Sequence, residues 1–228
     1  MRLHVKIDEI RYQEAIVLSE VDFQVQPGEV LALFGKNGTG KSSLFRSIMG
    51  IHGDWNGTIQ LGEKTLQRAQ PHELRALGLA YMPQSRPVFD RLSIRDNLRA
   101  STIGGSSELA VTHRLLNESL KSRFHDNASV LSGGEKQALG LSMIFATDPK
   151  IALLDEPCAS LSAAASAKIL SFIKEQTQET GMSVLIIEQK VQELIAIADK
   201  VLIFADHRVA YNGNVLTIPT HLYNHLCA

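Results

Sequence analysis

The 228-residue sequence lacks several features that would place it in a specialised class of protein. It has two cysteines, Cys158 and Cys227, which are too few for a disulfide framework and have no paired metal-ligand spacing. Basic and acidic side chains number 23 and 24, so no basic excess indicates a nucleic-acid-binding surface. No aliphatic run approaches the roughly 20 residues that span a bilayer, and the first residues carry no signal-peptide core. We therefore expect a soluble protein of a reducing compartment.

Continuous apolar runs bounded by turn residues predict strands that are buried on both faces, which is typical of parallel sheets. Three such runs cover residues 30–34, 151–154 and 184–187. A helix is predicted after the first run, over 41–49, and another lies between the second and third, over 163–178. This strand–helix–strand order predicts an α/β fold with a parallel sheet.

Other parts of the chain have a different pattern. Between residues 98 and 130 no buried strand is indicated, so we expect a small helical insertion there. The remaining predicted elements are alternating, half-buried strands over 3–7 and 21–25, an amphipathic helix over 108–121, a hairpin over 206–215 that turns at Asn212-Gly213, and a helix from about Thr220.

A glycine-rich segment between the first buried strand and its helix fits the pattern G-x-x-x-x-G-K-[ST], over residues 35–42. Glycines allow successive backbone N–H groups to curl around an anion, and a helix N-terminus adds the positive end of its dipole. In this pattern the lysine neutralises the β- and γ-phosphates and the hydroxyl completes the coordination of Mg²⁺. The candidate nucleotide ligands are Gly35, Asn37, Gly38, Gly40, Lys41, Ser42 and Ser43, with Ser42 also a metal ligand.

Two carboxylates follow the second buried strand, Asp155 and Glu156. Ligands of parallel sheets bind beyond the carboxyl ends of the strands, so both acids are expected to face the glycine-rich loop. Asp155 suits a role at Mg²⁺, and Glu156 suits the general base that activates water against the γ-phosphate. The alternative is that the segment 155–157 only caps the helix that follows.

The segment Leu131-Ser132-Gly133-Gly134-Glu135 begins another predicted helix, and its serine lies 23 residues before Asp155. The serine hydroxyl and the N–H groups of the two glycines could form a second phosphate-binding surface at that helix N-terminus. The same residues also fit a capping box, with Ser132 as N-cap and Glu135 at the third helical position. The two interpretations are compatible.

With these three motifs in this order, the chain resembles the ATP-binding cassette (ABC) ATPases over essentially its whole length. The resemblance implies a single domain, residues 1–228, with a P-loop parallel-sheet core, an N-terminal antiparallel β-subdomain and an α-helical insertion over approximately 98–140. It also implies ATP and Mg²⁺ as substrate and cofactor. Two cassettes of this family pair head to tail, so that each ATP lies between one glycine-rich loop and the partner's signature, here residues 131–135.

The resemblance assigns roles to further residues. Tyr12 would stack on adenine, although an ordinary strand-edge tyrosine is the alternative. Gln84, in Tyr-Met-Pro-Gln, would contact Mg²⁺ and the attacking water, where a surface glutamine is the alternative. Two positions depart from the usual pattern: Ser162 replaces an aspartate, and Gln189 replaces a histidine that contacts the γ-phosphate. Glutamine can donate a hydrogen bond to phosphate but cannot carry the positive charge of histidine. One interpretation is therefore that the ATPase site is degenerate and hydrolyses ATP slowly.

The second interpretation is a branch of the family, because Glu188-Gln189 and the segments 78–84 and 92–98 resemble the ATPase subunits of branched-chain amino acid, urea and amide importers. This implies membrane-spanning subunits on separate chains, a second ATPase subunit (the same or different), a periplasmic or extracellular solute-binding protein, and a peripheral location at the cytoplasmic face of the membrane. No nucleic acid is expected. The alternatives are the ATPase of a lipid, glycan or drug exporter, a non-transport ABC ATPase, and a nucleotide switch without hydrolysis.

Overall fold

The computed structural model describes residues 1–66, 69–101, 118–159 and 161–227. The strands are β1 (Leu3–Tyr12), β2 (Ala15–Val25), β3 (Val30–Gly35), β4 (Trp55–Leu61), β5 (Lys64–Leu66), β6 (Leu79–Met82), β7 (Ile151–Asp155), β8 (Ser183–Ile187), β9 (Lys200–Ala205) and β10 (Arg208–Asn214). The helices are α1 (Lys41–Ile48), α2 (Pro71–Ala76), α3 (Ile94–Ser101), α4 (Glu118–Ser122), α5 (Gly133–Phe145), α6 (Ala163–Thr180), α7 (Val191–Ile195) and α8 (Thr220–Cys227), with short 3₁₀ helices at Ala128–Val130 and Val215–Thr217.

The strands form two sheets. The first is antiparallel, in the order β2-β1-β4-β5, and the second has the order β10-β9-β3-β8-β7-β6. In the second sheet, strands β9, β3, β8, β7 and β6 run parallel, and β10 pairs antiparallel at the edge. The predicted α/β class with a parallel core and an N-terminal antiparallel sheet is confirmed.

The central strand β3 shows why its sequence is apolar throughout. Leu31 and Leu33 face a core that the antiparallel sheet and α1 share with the second sheet. Val30, Ala32 and Phe34 face the opposite core, which α6 covers. Both faces of the strand are therefore removed from water, which explains why its sequence does not alternate between polar and apolar residues. Because both faces of β3 are packed, the backbone at the start of the following loop is held in place.

A third apolar cluster lies between α3, α4 and α5. Its buried members are Val88, Ile94, Leu98, Leu120, Ala128, Leu131, Leu139 and Met143. Part of the predicted helix over 108–121 lies outside the described residues, which begin again with α4. Within the described parts of the chain, no helix is both long and apolar enough to cross a membrane.

The predicted hairpin near the C-terminus is present, but its predicted turn is wrong. Asn212 and Gly213 lie inside β10, opposite residues 202 and 201 of β9. The chain turns instead at Asp206 and His207, with φ of 46° and 60°. Aspartate and histidine tolerate this left-handed region better than most residues, so a turn forms there without glycine. The pairing register of β9 with β10 therefore determines where the chain turns.

Candidate functional site

The glycine-rich loop connects β3 to α1 and is shaped by close backbone approaches. Gly35, Gly38 and Gly40 have φ of 149°, 83° and 93°. A Cβ atom on Gly40 would lie 2.8 Å from the carbonyl oxygen of Val17, and one on Gly35 would lie 2.7 Å from that of Phe204. Larger residues would push the loop away from both neighbours. Gly35 and Gly40 are therefore required by the path of the backbone as well as by its conformation, and Gly38 by its conformation alone.

The start of α1 has the features of an anion-binding helix N-terminus. Its N-cap is Gly40, which offers no side-chain hydrogen bond, and the first turn contains no acidic residue. The first N–H groups of a helix have no partners within the helix, so they are available to an anion bound there. The exposed Asn37 and the half-buried Ser43 lie on the loop and in this first turn.

Lys41 is the buried cation of the loop, at only 8% exposure. Its Nζ donates hydrogen bonds to the carbonyl oxygens of Gly35, at 2.6 Å, and Lys36, at 2.9 Å. Burial lowers the pKa of this ammonium below its ordinary value, and the nearby carboxylates of Glu156 and Asp155 oppose that shift. The loop thus holds the side chain folded back over its own backbone.

Asp155 is joined to the loop through Ser42. The Ser42 hydroxyl donates to Asp155 Oδ1 at 3.2 Å, and the Tyr81 hydroxyl donates to Oδ2 at 3.4 Å. Burial raises the pKa of Asp155, an effect that the Ser42 hydrogen bond opposes. Burial also raises the pKa of Tyr81 to about 12, so this phenol remains a donor at neutral pH. The sequence prediction missed Tyr81, which reaches Asp155 because β6 and β7 are neighbours.

The oxygen atoms of Ser42 and Asp155 fit a magnesium ion. Hydroxyl and carboxylate oxygens are the donors that Mg²⁺ takes from a protein, together with substrate phosphates. Here they come from two elements and already lie within hydrogen-bond distance of each other. Gln84, the third predicted ligand, lies exposed two residues beyond β6, and among the described residues its side chain has no hydrogen bond to either. The structure therefore brings together two of the three predicted magnesium ligands.

Glu156 and Gln189 form the second contact of the site. Gln189 Nε2 donates to Glu156 Oε1 at 2.9 Å. Glu156 is 8% exposed and has φ of 52°, and its N–H donates to the carbonyl oxygen of Ile187 in β8. A non-glycine residue in the left-handed region is held there by its surroundings. The backbone of Glu156 is therefore fixed against β8, and its carboxylate lies beside Gln189.

The segment 155–157 does not cap the next helix, so that alternative is wrong. Helix α6 begins after Ser162, whose hydroxyl accepts a hydrogen bond from the N–H of Ala165 at 3.3 Å. Serine and aspartate are both good N-caps, so the departure at Ser162 keeps the start of the helix intact. The two acids are left available to the site.

Tyr12, at the end of β1, is 42% exposed and stacks on a histidine. The rings of Tyr12 and His52 are 4.2 Å apart and inclined by 22°. His52 Nε2 lies 2.6 Å from the carbonyl oxygen of Arg11, and Arg46 of α1 donates to the Tyr12 hydroxyl at 3.4 Å. His52 is half-buried and braces the tyrosine ring.

The signature segment begins α5 as a capping box. The N–H of Glu135 donates to the Ser132 hydroxyl at 3.3 Å, and the N–H of Ser132 donates to Glu135 Oε2 at 2.8 Å. Helix α5, which starts with Gly133, packs on the edge strand β6. Strands β7 and β8 separate β6 from β3. The chain therefore does not bring its own signature to its own glycine-rich loop.

The comparisons with known proteins agree with this geometry. Residues 18–159 match the model of a family described as ABC transporter. The chain is 30% identical to a probable branched-chain amino acid transport ATP-binding protein, LivF, of Archaeoglobus fulgidus, over 92% of this chain and 91% of that one. It is 31% identical to the lipopolysaccharide export system ATP-binding protein LptB of Acidithiobacillus ferridurans, over 89% and 86%.

Solved structures show the same fold. The structure of an ATP-binding subunit of an ABC transporter superposes with a TM-score of 0.83, at 25% identity and with all of both chains covered. A nucleotide-free cassette from an ABC transporter gives a TM-score of 0.82 at 22% identity, covering 100% of this chain and 96% of that one. The chain belongs to the ABC transporter family, and it is an ATPase of that family.

Proposed function

We propose that the chain is the ATP-binding and hydrolysing subunit of an importer for a hydrophobic amino acid, urea or an amide. The hydrolytic part of this proposal rests on the contact between Gln189 and Glu156. This contact places a hydrogen-bond donor beside a carboxylate at the carboxyl ends of the parallel strands, where the glycine-rich loop also lies. The import part is supported by the two similar branched-chain amino acid transport proteins, at 30% and 29% identity.

In this proposal each residue has one task. The loop N–H groups and Lys41 hold the phosphates of ATP, while Ser42 and Asp155 hold Mg²⁺, which neutralises phosphate charge when it is bound. Glu156 takes a proton from the water that attacks the γ-phosphorus, and ADP leaves. Gln189 holds the carboxylate of Glu156 and offers its amide N–H to a γ-phosphate oxygen.

Replacement of Tyr12 by leucine tests the adenine contact. Loss of stacking, worth about 1–2 kcal/mol, is expected to raise the Kd of ATP about tenfold, as measured by titration with a fluorescent nucleotide. Tyr12→Phe is the matched control, because it keeps the ring and its stacking on His52. An unchanged affinity in Tyr12→Leu would show that this tyrosine is only a strand-edge residue.

A groove beside α5 supports docking of a membrane-spanning subunit. It has a volume of about 460 Å³ and is lined mainly by apolar side chains, among them Ile51, Phe89 and Met143. Ile51 and Phe89 are 55% and 56% exposed, which is costly for large apolar groups without a partner. A short helix from a membrane subunit would cover them and hold this chain at the cytoplasmic face of the membrane.

The separation of signature and loop within one chain supports pairing with a second ATPase subunit. The capping box at Ser132 leaves the first N–H groups of α5 available, as at the start of α1. A head-to-tail partner would present these groups to ATP bound on Lys41. The branch resemblance favours a different ATPase chain as that partner, together with an external solute-binding protein; nucleic acid has no part in the assembly.

Purification of the native complex through this chain tests the assembly. We expect two different ATPase chains, two membrane-spanning chains and a solute-binding protein, each identified by mass spectrometry. Recovery of this ATPase alone, in two copies with one kind of membrane protein, would rule out the heteromer.

The second candidate is an exporter, and the 31% identity to LptB favours it. The same purification separates the two candidates. An importer requires a soluble solute-binding protein that delivers substrate from outside, whereas an exporter complex contains none and retains its lipid or glycan.

A further inference from the structure

The residues on both sides of Gln189 bind the backbone of the loop that follows Glu156. We call this segment the β7–α6 loop; its described residues are 156–159, 161 and 162. Glu188 is 3% exposed, and its Oε1 accepts a hydrogen bond from the N–H of Cys158 at 2.6 Å. Its Oε2 accepts from the N–H of Gln189 at 3.2 Å. This buried carboxylate thus joins the loop to the residue that contacts Glu156.

Lys190 binds the same loop from the other side. Its Nζ donates to the carbonyl oxygens of Cys158, at 3.2 Å, and Leu161, at 2.7 Å. It also donates to the hydroxyl of Ser166 in α6, at 2.7 Å. An ammonium has three N–H groups, and each has a protein acceptor here. Because all three N–H groups of the ammonium are bonded, Lys190 favours a single position of the loop.

Three consecutive residues, 188–190, therefore all bind the same short segment of chain. Gln189 binds the carboxylate of Glu156, while Glu188 and Lys190 bind the N–H and the carbonyl of Cys158. The Cys158 side chain is itself fully buried, so the middle of the loop has little freedom to move. Displacement of the loop would therefore carry Glu156 away from Gln189.

The β7–α6 loop also contacts the signature. A Cβ atom on Gly134 would lie 2.9 Å from Leu161 Cδ2, so the leucine packs directly against that glycine. Lys190 holds the carbonyl of this same leucine. One lysine therefore connects the position of Glu156 with the position of the signature helix.

We propose that Lys190 is a positioning residue for ATP hydrolysis, which keeps Glu156 against Gln189 and Leu161 against the signature by holding the β7–α6 loop. The hydrogen bonds of Lys190 Nζ in the described chain go to Cys158, Leu161 and Ser166 and not to the glycine-rich loop, so we expect ATP binding to be independent of it. The alternative is that Lys190 only satisfies carbonyl groups near the start of α6 and contributes to stability alone.

The test compares three variants of the full-length ATPase. Lys190→Met removes the three hydrogen bonds, and Lys190→Arg keeps a cation that can reach the carbonyls. Lys174→Met is the matched control, because Lys174 is also half-buried and its Nζ donates to both carboxylate oxygens of Asp199, at 2.7 and 2.9 Å. Each protein is assayed for kcat and KM of ATP hydrolysis, for nucleotide Kd and for Tm.

We expect Lys190→Met to lower kcat about tenfold or more, with KM and Kd within about twofold of the parent. Lys190→Arg should recover most of the lost kcat, and Lys174→Met should lower Tm while kcat stays near the parental value. A parental kcat in Lys190→Met would overturn the proposal. So would an equal loss of kcat in Lys174→Met, since that pattern reports stability. Lys190→Gln replaces the methionine variant if the latter does not fold.

A double-mutant cycle with Gln189→Ala gives an independent readout. If Lys190 acts through Gln189 and Glu156, the double variant Gln189→Ala/Lys190→Met should have nearly the kcat of the slower single variant. Losses that multiply would show that Lys190 acts elsewhere, and would overturn the positioning role.

Discussion

Replacement of Lys41 by methionine is expected to abolish measurable ATP binding at micromolar nucleotide. Lys41 is the buried ammonium of the loop, and burial lowers its pKa, so a phosphate partner would offset the cost of burying its charge. Loss of a buried charge contact costs about 3 kcal/mol or more, which raises the Kd at least about a hundredfold. Calorimetric titration with ATP and Mg²⁺ measures the change directly.

Lys36→Met is the matched control for this experiment. Lys36 is an exposed residue of the same loop, and its carbonyl oxygen, which accepts from Lys41, is retained in the variant. Both variants lose one positive charge, but only Lys41→Met should lose affinity. Circular dichroism melting shows whether each variant is folded. Unaltered ATP affinity in folded Lys41→Met would contradict the role given to the glycine-rich loop.

Glu156→Gln is expected to bind ATP normally and to lose turnover by a factor of about 10²–10⁴. A glutamine can still accept a hydrogen bond from Gln189 through its carbonyl oxygen, so the geometry of the site is kept. It cannot take a proton from water, which is the task proposed for the carboxylate. With hydrolysis stopped, ATP should accumulate between this subunit and its ATPase partner, and gel filtration of the purified complex in ATP should show that the two remain paired.

Glu63→Gln controls for the loss of a negative charge, because Glu63 lies exposed in the turn between β4 and β5, in the antiparallel sheet. Phosphate release by this variant should match that of the parent. Hydrolysis at the parental rate in Glu156→Gln would remove Glu156 from the chemistry and leave another group as the base.

Local patterns in the sequence predicted the elements that carry the site. The continuous apolar runs at 30–34, 151–154 and 184–187 became the buried parallel strands, because only apolar residues can occupy strands covered on both faces. The glycine-rich loop and the capping box at Ser132 were also predictable, since both depend on residues adjacent in the chain. These features follow from spacing alone.

Other contacts of the site could not be predicted from spacing. Tyr81 reaches Asp155 because β6 lies beside β7, and His52 braces Tyr12 because the chain after α1 returns to the end of β1. The turn at Asp206-His207 likewise depended on the register of two paired strands. The contacts of Tyr81 and His52 join residues far apart in sequence, so no local pattern records them.

The sequence by itself determined the fold class, the glycine-rich loop and the pair of acids, because backbone conformation and burial on both faces restrict residue type directly. Only the tertiary structure decided which groups meet. It brought Ser42 to Asp155 and Gln189 to Glu156, and it placed Glu188 and Lys190 on the β7–α6 loop. Gln84 has no hydrogen bond to Ser42 or Asp155 within the described residues. The physical reason is the order of the strands: the carboxyl ends of β3, β8 and β7 are neighbours in the sheet although they are far apart along the chain.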